Sequence, residues 1–300
     1  LFSTGQPRTM PKLTLQASGL KTAKAPGFNG APEKRGQVLS WSRGSARRNE
    51  DFLRSIDPTE LSGACISFTL TVRDLPASSE DWTSTRNNFF RRLRHHGLVR
   101  LHWLTEFQTR GAPHLHGICY FDSPLTAEWL VWQWIEQTGC YRAAARGQHA
   151  RQVDALVGWL QYLGKHGARS VGHYQRSVIT PGWKKTGRLW GKLGEWPLDV
   201  EELFIPNKLF FKVRRFVRNR LVAECRADLL RFRKARNVHD VRRFHVARRR
   251  LVYLRRRLKC NDRCKSELRG SSDWIDPDLI RTFILHQRYS DAATGLSPWA

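Results

Sequence analysis

The sequence predicts an α+β fold in which helices flank an antiparallel sheet and a basic helical region follows. Residues 65–72 alternate apolar and polar side chains, which is typical of a half-buried strand. Two further strand-like segments, 98–108 and 114–121, are joined by the short turn-forming stretch 109–113, which favours a hairpin. From about 209 to 265 the pattern is helical and crowded with arginine.

Three helices are expected around these strands. The first covers about 80–96 and ends in a basic cluster before Gly97. Thr126 can cap a second helix over 127–137. A third helix is expected over 151–165, because its apolar residues recur at the spacing of one helix face. That core stripe consists of Val153, Leu156, Val157, Leu160 and Leu163.

The composition predicts three regions along the chain. Residues 1–50, rich in Gly, Ser, Pro, Lys and Arg, are expected to form a flexible basic arm. Residues 51–200 carry the predicted sheet, and residues 201–300 form a basic helical region. The last region is either a solvated helical hairpin or an accessory domain that grips DNA. Its scarcity of acidic residues favours the second interpretation.

The charge of the chain points to a polyanionic partner. The formal net charge is +26. So many positive side chains repel one another in a compact protein unless nucleic acid or an anionic membrane surface neutralises them. The charge pattern favours nucleic acid, and no apolar run reaches membrane-spanning length. The six cysteines are scattered rather than arranged as a disulfide framework. We therefore expect an intracellular protein that associates with nucleic acid, without a membrane partner.

His114 and His116 are the first candidate metal ligands. Residues two apart on a strand point to the same face, so the two imidazoles are expected side by side. Imidazole nitrogens suit Mn, Zn and related ions, and an added carboxylate shifts the preference towards Mg and Mn. The alternative is a pair of ordinary half-buried histidines.

Glu106 is the candidate third ligand. If the hairpin turns around Arg110 and Gly111, Glu106 lies opposite His116 and Gln108 lies opposite His114. Cross-strand neighbours are about 4.5 to 5.5 Å apart at Cβ, which is close enough to share a divalent metal. The alternative is a carboxylate at the rim of the sheet, paired with Arg110.

Tyr162 and Lys165 are the candidate catalytic pair. On a helix Tyr162 falls roughly 140° from the centre of the core stripe, and Lys165 follows on nearly the same side. A phenol with a pKa near 10 is a poor nucleophile at neutral pH. A metal at the phosphate and a lysine near the phenolate would both assist it. His166 could replace Glu106 as a ligand or contact the phosphate. The alternative is an ordinary surface Tyr–Lys pair.

Basic and aromatic residues supply the candidate DNA contacts. The tryptophans of the Gly/Lys-rich loop near 181–190 are candidates for stacking on an extruded base. Trp129, Trp132, Trp134 and Trp159 are interpreted as packing residues of helices. The predicted DNA-binding residues are Arg91, Arg92, Arg94, Arg110, Trp183, Lys184, Lys185, Arg188 and Trp190.

Three ordered segments resemble the motifs of HUH endonucleases, and most closely those of rolling-circle replication initiators of bacterial phages and plasmids. The segments are Phe68-Thr69-Leu70-Thr71, then Glu106 with Arg110-Gly111-Ala112-Pro113-His114-Leu115-His116-Gly117, then Tyr162-Leu163-Gly164-Lys165. The resemblance implies a ferredoxin-like, RRM-like antiparallel sheet with a central metal-binding strand. It identifies His114 and His116 as ligands of a divalent metal, Mg or Mn, and Glu106 as a less close match to the third ligand.

The resemblance also implies an activity. Tyr162 would attack a phosphate of single-stranded origin DNA, leaving a 5′-phosphotyrosine and a free 3′-OH, and the reverse reaction would join the product. Gly158 stands where some phage initiators carry a second tyrosine, which implies a one-tyrosine enzyme. The chain has no Gly-x-x-x-x-Gly-Lys-Ser/Thr loop, so a host helicase is expected besides the host DNA polymerase.

Two alternatives remain open at this stage. A transposase or a mobilisation relaxase would use the same chemistry on a different DNA site. A non-catalytic RRM-like protein would bind nucleic acid through aromatic and arginine side chains, without a metal and without cleavage.

Overall fold

The chain forms two compact units, one of residues 32–199 and one of residues 1–31 together with 200–300. The structure is a computed structural model that describes residues 10–23, 38–153, 158–160, 163, 174–177, 179–258 and 272–293. The predicted α+β class is confirmed, because the described residues form two antiparallel sheets with helices around them. None of the helices in these ranges is both long and apolar enough to cross a membrane.

The elements are numbered along the chain over the described residues. The strands are β1 (Lys12–Gln16), β2 (Gly19–Ala23), β3 (Ala64–Thr71), β4 (Leu98–Phe107), β5 (Pro113–Phe121), β6 (His149–Gln152), β7 (Trp190–Leu193), β8 (Val200–Phe204) and β9 (Ser272–Asp273). The helices are α1 (Arg43–Ser55), α2 (Ser79–His95), α3 (Ala127–Gln137), α4 (Tyr174–Ser177), α5 (Asn207–Asn237), α6 (Val241–Leu258) and α7 (Pro277–Ala293).

The larger unit is built on a five-stranded sheet in the order β6-β3-β5-β4-β7. Helix α2 begins with a capping box of Ser78 and Asp81, and it buries Trp82, Phe89 and Leu93. Trp134 of α3 meets the ring of Phe89 edge-on at 5.1 Å. These apolar contacts join the two helices on one face of the sheet and leave the opposite face for α1 and the candidate site.

Gly117 lies at the centre of β5, where the sheet has no room for a side chain. A Cβ at this position would overlap Phe68 Cζ and would lie 2.8 Å from the carbonyl oxygen of His102. The glycine therefore allows the aromatic ring of the neighbouring strand to pack across the strand that carries the two histidines.

Helix α1 packs against the opposite face of the sheet, next to His102 of β4. The Ser42 hydroxyl caps it by accepting a hydrogen bond from Ser45 N at 3.1 Å. Phe52 stacks on His102 at 5.7 Å, and the Asn49 Oδ1 atom lies 2.7 Å from His102 Nε2. Burial lowers the pKa of His102 to about 3, so its imidazole is neutral at physiological pH.

The smaller unit joins the two ends of the chain. Its sheet has the order β8-β1-β2-β9, so the N-terminal hairpin pairs with strands that follow residue 199. The carboxylate of Asp228 on α5 is only 1% exposed; it forms an ion pair with Arg250 of α6 at 2.6 Å and accepts a hydrogen bond from Arg231 at 2.7 Å. The apolar core of this unit includes Leu13, Leu15, Leu20, Phe210, Val213, Val217, Ile280 and Ile284.

Two expectations from the sequence are wrong. The segment 1–50 contains β1, β2 and the start of α1, so it is not a flexible arm throughout its length. Strands β1 and β2 pair with each other, but the sheet that they join is completed by β8 and β9, which lie far away in sequence. The helix expected from Arg151 begins later, since residues 149–152 pair with β3 as an edge strand. Residues 158–160 and 163 are helical, and Leu160 and Leu163 are buried as predicted.

Candidate active site

His114 and His116 lie side by side on the central strand β5, as their spacing predicted. Their ring centroids are 4.5 Å apart, with an angle of 70° between the ring planes. His116 is 2% exposed and His114 is half-buried. The two imidazoles are therefore close enough to contact one bound ion together, at the end of the sheet next to the turn between β4 and β5.

The predicted register of the hairpin is wrong by two residues. Glu106 lies opposite His114, not opposite His116. The reason is the turn: Gly111 adopts a φ of +84° and its N–H donates to Gln108 O at 2.8 Å, which closes the loop earlier than expected. A shift of two residues keeps the same face of the strand. Glu106 Oε2 therefore still lies 3.8 Å from His116 Nε2.

Glu106 forms a buried ion pair that the sequence did not reveal. Arg176 Nε lies 3.2 Å from Glu106 Oε1, and both side chains are fully buried. The guanidinium also lies over the indole of Trp41, 4.6 Å from its centroid, and Trp41 Nε1 donates to Thr105 O at 2.9 Å. The alternative, in which Glu106 pairs with Arg110, is not found in the described part of the chain: Arg110 donates to residues 72, 73 and 108, and the cation beside Glu106 is Arg176 of α4.

His116 is oriented by the neighbouring strand. Its Nδ1 atom is hydrogen-bonded to Thr69 Oγ1 at 2.9 Å, and Thr69 lies directly opposite it in β3. When the hydroxyl accepts from Nδ1–H, the Nε2 lone pair faces the side of Glu106, which is the usual arrangement of a metal-binding imidazole. The resemblance motif contained Thr69, but its role as the partner of His116 depends on the pairing of two strands.

The donors at this site fit a divalent metal in type. Two imidazoles and one carboxylate oxygen suit Mn or Mg. Among the described residues, no group of three or more His, Cys, Asp or Glu is close enough to hold an ion. The reserve ligand His166 and the candidate pair Tyr162 and Lys165 lie outside the described residues. The two histidines and Glu106 therefore do not form a complete ligand set by themselves, and they are the described part of the candidate centre.

The predicted arginine contacts differ in their surroundings. Arg91 and Arg94 are exposed on α2, as a DNA contact requires. Arg92 instead donates to Gln133 and Glu136 of α3. Arg110 is exposed, but its guanidinium donates to the carbonyl oxygens of residues 72 and 73 and to the side chain of residue 108. Arg92 and Arg110 therefore hold neighbouring elements together.

The predicted aromatic contacts are placed differently from the expectation. Trp183 is only 6% exposed, packs edge-on against Phe107 and donates its indole N–H to Pro76 O at 2.9 Å. Trp190 is half-buried in β7 and donates to Ser45 Oγ at 3.1 Å. The Trp183 ring is therefore closed to a base, whereas the half-buried Trp190 ring lies 6.4 Å from the Phe52 ring and nearly parallel to it. Three basic residues of this loop are exposed, namely Lys184, Lys185 and Arg188. Of these, Lys185 forms an ion pair with Glu80.

Taken together, the fold and the site define an α+β protein whose antiparallel sheet carries paired histidines and a buried carboxylate on one face. A family model for replication-associated proteins of the ORF2 type matches residues 65–178, which contain this face. The chain belongs to this family of replication-associated proteins.

Its relatives come from a phage and from a bacterium. A "Replication-associated protein" of Pseudomonas phage Pf3 is 43% identical over 210 residues, covering 68% of this chain and 76% of that protein. A "Putative replication protein" of Xylella fastidiosa strain 9a5c is 36% identical over 287 residues, covering 91% of this chain and 95% of that protein. A second one, from strain Temecula1, is 38% identical over 281 residues, covering 88% and 99%. No solved structure matches the chain significantly.

Proposed function

We propose that this replication-associated protein is a metal-dependent, site-specific nicking and joining enzyme that acts on single-stranded origin DNA to initiate rolling-circle replication. The observation that carries the proposal is the convergence of His114, His116 and Glu106 on one face of the sheet, with Glu106 fixed by Arg176. The names of the relatives favour replication over transposition or mobilisation.

The proposed reaction is a transesterification at one phosphodiester. The Tyr162 phenol oxygen forms a bond to phosphorus, and the bond from phosphorus to the 3′ oxygen breaks. The phenol loses its proton and the departing 3′ oxygen gains one, so charge and atoms balance. The products are a 5′-phosphotyrosine and a free 3′-OH, which a host polymerase can extend. The reverse reaction joins the strand again.

The side chains of the chain have distinct parts in this scheme. When bound by the two histidines and Glu106, the metal would withdraw charge from the scissile phosphate. Lys165 stabilises the developing phenolate. Arg176 is a positioning residue, because it fixes Glu106 Oε1 and directs Oε2 towards His116. Thr69 holds the His116 ring in the matching orientation.

The helical hairpin of α5 and α6 is proposed to grip DNA outside the cleavage site. Positions 207–258 contain nineteen Lys and Arg and only three acidic residues. Two of those three, Glu224 and Asp228, are paired with Arg250 within the hairpin. The cations of this segment far outnumber the acids that could neutralise them, which favours contact with phosphates. A host helicase would separate the strands, since the chain carries no phosphate-binding loop of its own.

The test is a covalent-adduct assay. The protein is incubated with single-stranded origin DNA and Mn²⁺ or Mg²⁺, and the products are separated on a denaturing gel. A slowly migrating protein–DNA band is expected with either ion and is expected to disappear with EDTA. Tyr162→Phe should abolish the band and leave DNA binding nearly intact.

Tyr289→Phe is the matched control, because Tyr289 is 75% exposed on α7 and belongs to the other unit. This variant should form the adduct like the unmodified protein. An adduct that persists in Tyr162→Phe would overturn the assignment of the nucleophile. The absence of an adduct in the unmodified protein, with intact origin DNA and metal, would overturn the proposed activity.

A further inference from the structure

We propose that the groove beside Trp132 binds one unpaired base of the single-stranded DNA next to the cleavage site. This inference rests on the proposed function, because it assigns a further contact to the same substrate. It also revises an expectation from the sequence, since Trp132 was interpreted as a packing residue. Its side chain is 59% exposed, which is high for an indole.

The geometry of α3 explains why Trp132 faces outwards. Leu130 and Trp134 are fully buried, and the Trp134 indole N–H donates to Thr71 O at 3.0 Å. Two residues correspond to about 200° around a helix, so Trp132 lies almost opposite Trp134. Its ring is not needed to attach the helix to the sheet, and the same exposed ring offers a flat surface to a ligand.

The ring forms one side of a groove between α3 and the edge strand β6. The groove has a volume of about 220 Å³ and is open to solvent on one side. One water molecule needs only about 10–15 Å³ of such space, so the groove has room for a small planar group. Besides Trp132, the lining includes Glu128, Val131, Ala145, His149 and Ala150.

The groove lies beside α3 at the edge strand β6, two strands away from the strand β5 that carries the two histidines. His149 at the groove lies opposite Thr69, which is hydrogen-bonded to His116. Gln148 accepts from Thr71 N at 2.8 Å and donates to Thr71 O at 3.2 Å. Neighbouring strands are about 4.8 Å apart, which places β6 about 10 Å from β5. A DNA strand held at the histidines can reach the groove by passing over this edge strand, with a nucleotide close to the cleaved phosphate.

The polar groups around the groove suit a nucleotide. Arg146 and Arg151 are exposed next to the lining residues Ala145 and Ala150, where they can contact phosphates. Glu128 is exposed at the rim and can accept a hydrogen bond from the exocyclic amino group of a base. Stacking on an aromatic ring tolerates every base, so the groove is expected to position the strand rather than to select a sequence.

The first test measures DNA binding without cleavage. Binding of a fluorescently labelled single-stranded oligonucleotide is followed by anisotropy in EDTA, for the full chain and its variants. Trp132→Ala should weaken binding between about fivefold and one hundredfold, the range expected for one lost stacking contact. Trp132→Phe keeps an aromatic face and should stay within about threefold of the unmodified protein. Val99→Ala is the control, because Val99 is 42% exposed at the start of β4, at the opposite end of that strand from Glu106.

The second test locates the contact. Oligonucleotides that carry 5-iodouracil at single positions around the nick are irradiated with the protein, and cross-linked peptides are identified by mass spectrometry. A cross-link at Trp132 from one or two positions adjacent to the nick is expected. Equal binding by Trp132→Ala and the unmodified protein, or cross-links that never include Trp132, would overturn the groove assignment.

The outcomes separate this inference from the proposed function. An adduct in the unmodified protein, together with normal DNA binding by Trp132→Ala, leaves the nicking activity intact and overturns the groove. Weakened binding and a cross-link at Trp132 in a protein that forms no adduct overturn the nicking activity and support the groove.

Discussion

Replacing Arg176 by Met should destabilise the larger unit strongly. The substitution leaves the Glu106 carboxylate fully buried without the cation 3.2 Å away. Removing one partner of a buried ion pair typically costs about 3–5 kcal/mol. The contact of the guanidinium with the Trp41 ring adds about 0.5–2 kcal/mol. For a unit of this size, we expect the melting temperature to fall by roughly 10 °C or more.

A second substitution tests whether the charge is the cause. Arg176→Met combined with Glu106→Gln removes both charges, so most of the lost stability should return. Urea unfolding followed by tryptophan fluorescence gives the free energy of unfolding for the two single variants and the double variant. The reasoning is refuted if Arg176→Met costs less than about 1 kcal/mol, or if the double variant is as unstable as the sum of the single variants.

The same variants separate stability from metal binding. Titration with Mn²⁺ followed by electron paramagnetic resonance reports the free ion. Glu106→Gln keeps the size of the side chain but removes the charged ligand, so it should weaken Mn²⁺ binding at least about tenfold. Unchanged Mn²⁺ affinity would show that Glu106 is not a ligand.

Three further predictions concern acid stability, packing and salt. Burial lowers the pKa of His102 to about 3 in the folded protein, whereas the same histidine in the unfolded chain has a pKa of about 6.5. As the pH falls from about 6.5 towards 3, the free energy of unfolding should therefore decrease by up to about 1.4 kcal/mol per pH unit. His102→Gln should flatten this slope in urea titrations at about pH 4 to 7. Gly117→Ala makes a Cβ overlap Phe68 Cζ, so it should lower stability by about 1–3 kcal/mol or more, measured by thermal unfolding, and an unchanged melting temperature would contradict the packing argument. Arg248→Gln with Arg249→Gln should reduce the slope of log affinity against log salt by about 2 for duplex DNA, and an unchanged slope would remove the hairpin from the DNA-binding surface.

Local patterns were sufficient for much of the sheet and its histidines. The alternation in residues 65–72 predicted β3, and the turn chemistry at 109–113 predicted the hairpin of β4 and β5. The spacing of His114 and His116 placed both rings on one face. The register was missed because it depends on the positive φ of Gly111, which determines where the turn closes.

The rest of the site could not be predicted because it depends on distant contacts. Arg176 approaches Glu106 across seventy positions of sequence, and Trp41 comes from the segment before α1. Nothing in the local pattern distinguishes Arg176 from the many other arginines of the chain. Trp132 was misplaced because its helix is apolar on more than one side, so periodicity alone did not show which tryptophan faces the sheet.

The pairing of β1 with β8 makes the larger unit an insertion within the smaller one. A truncation designed to trim the basic N-terminus would therefore remove two of the four strands of the other sheet, and with them the buried Leu13, Leu15 and Leu20. The loss of stability would therefore affect the unit that contains the arginine-rich helices far along the chain, rather than the residues next to the truncation. Conversely, residues 32–199 continue at both ends into the same other unit, so they can be excised and expressed as a single uninterrupted segment to test whether nicking needs the helices at all.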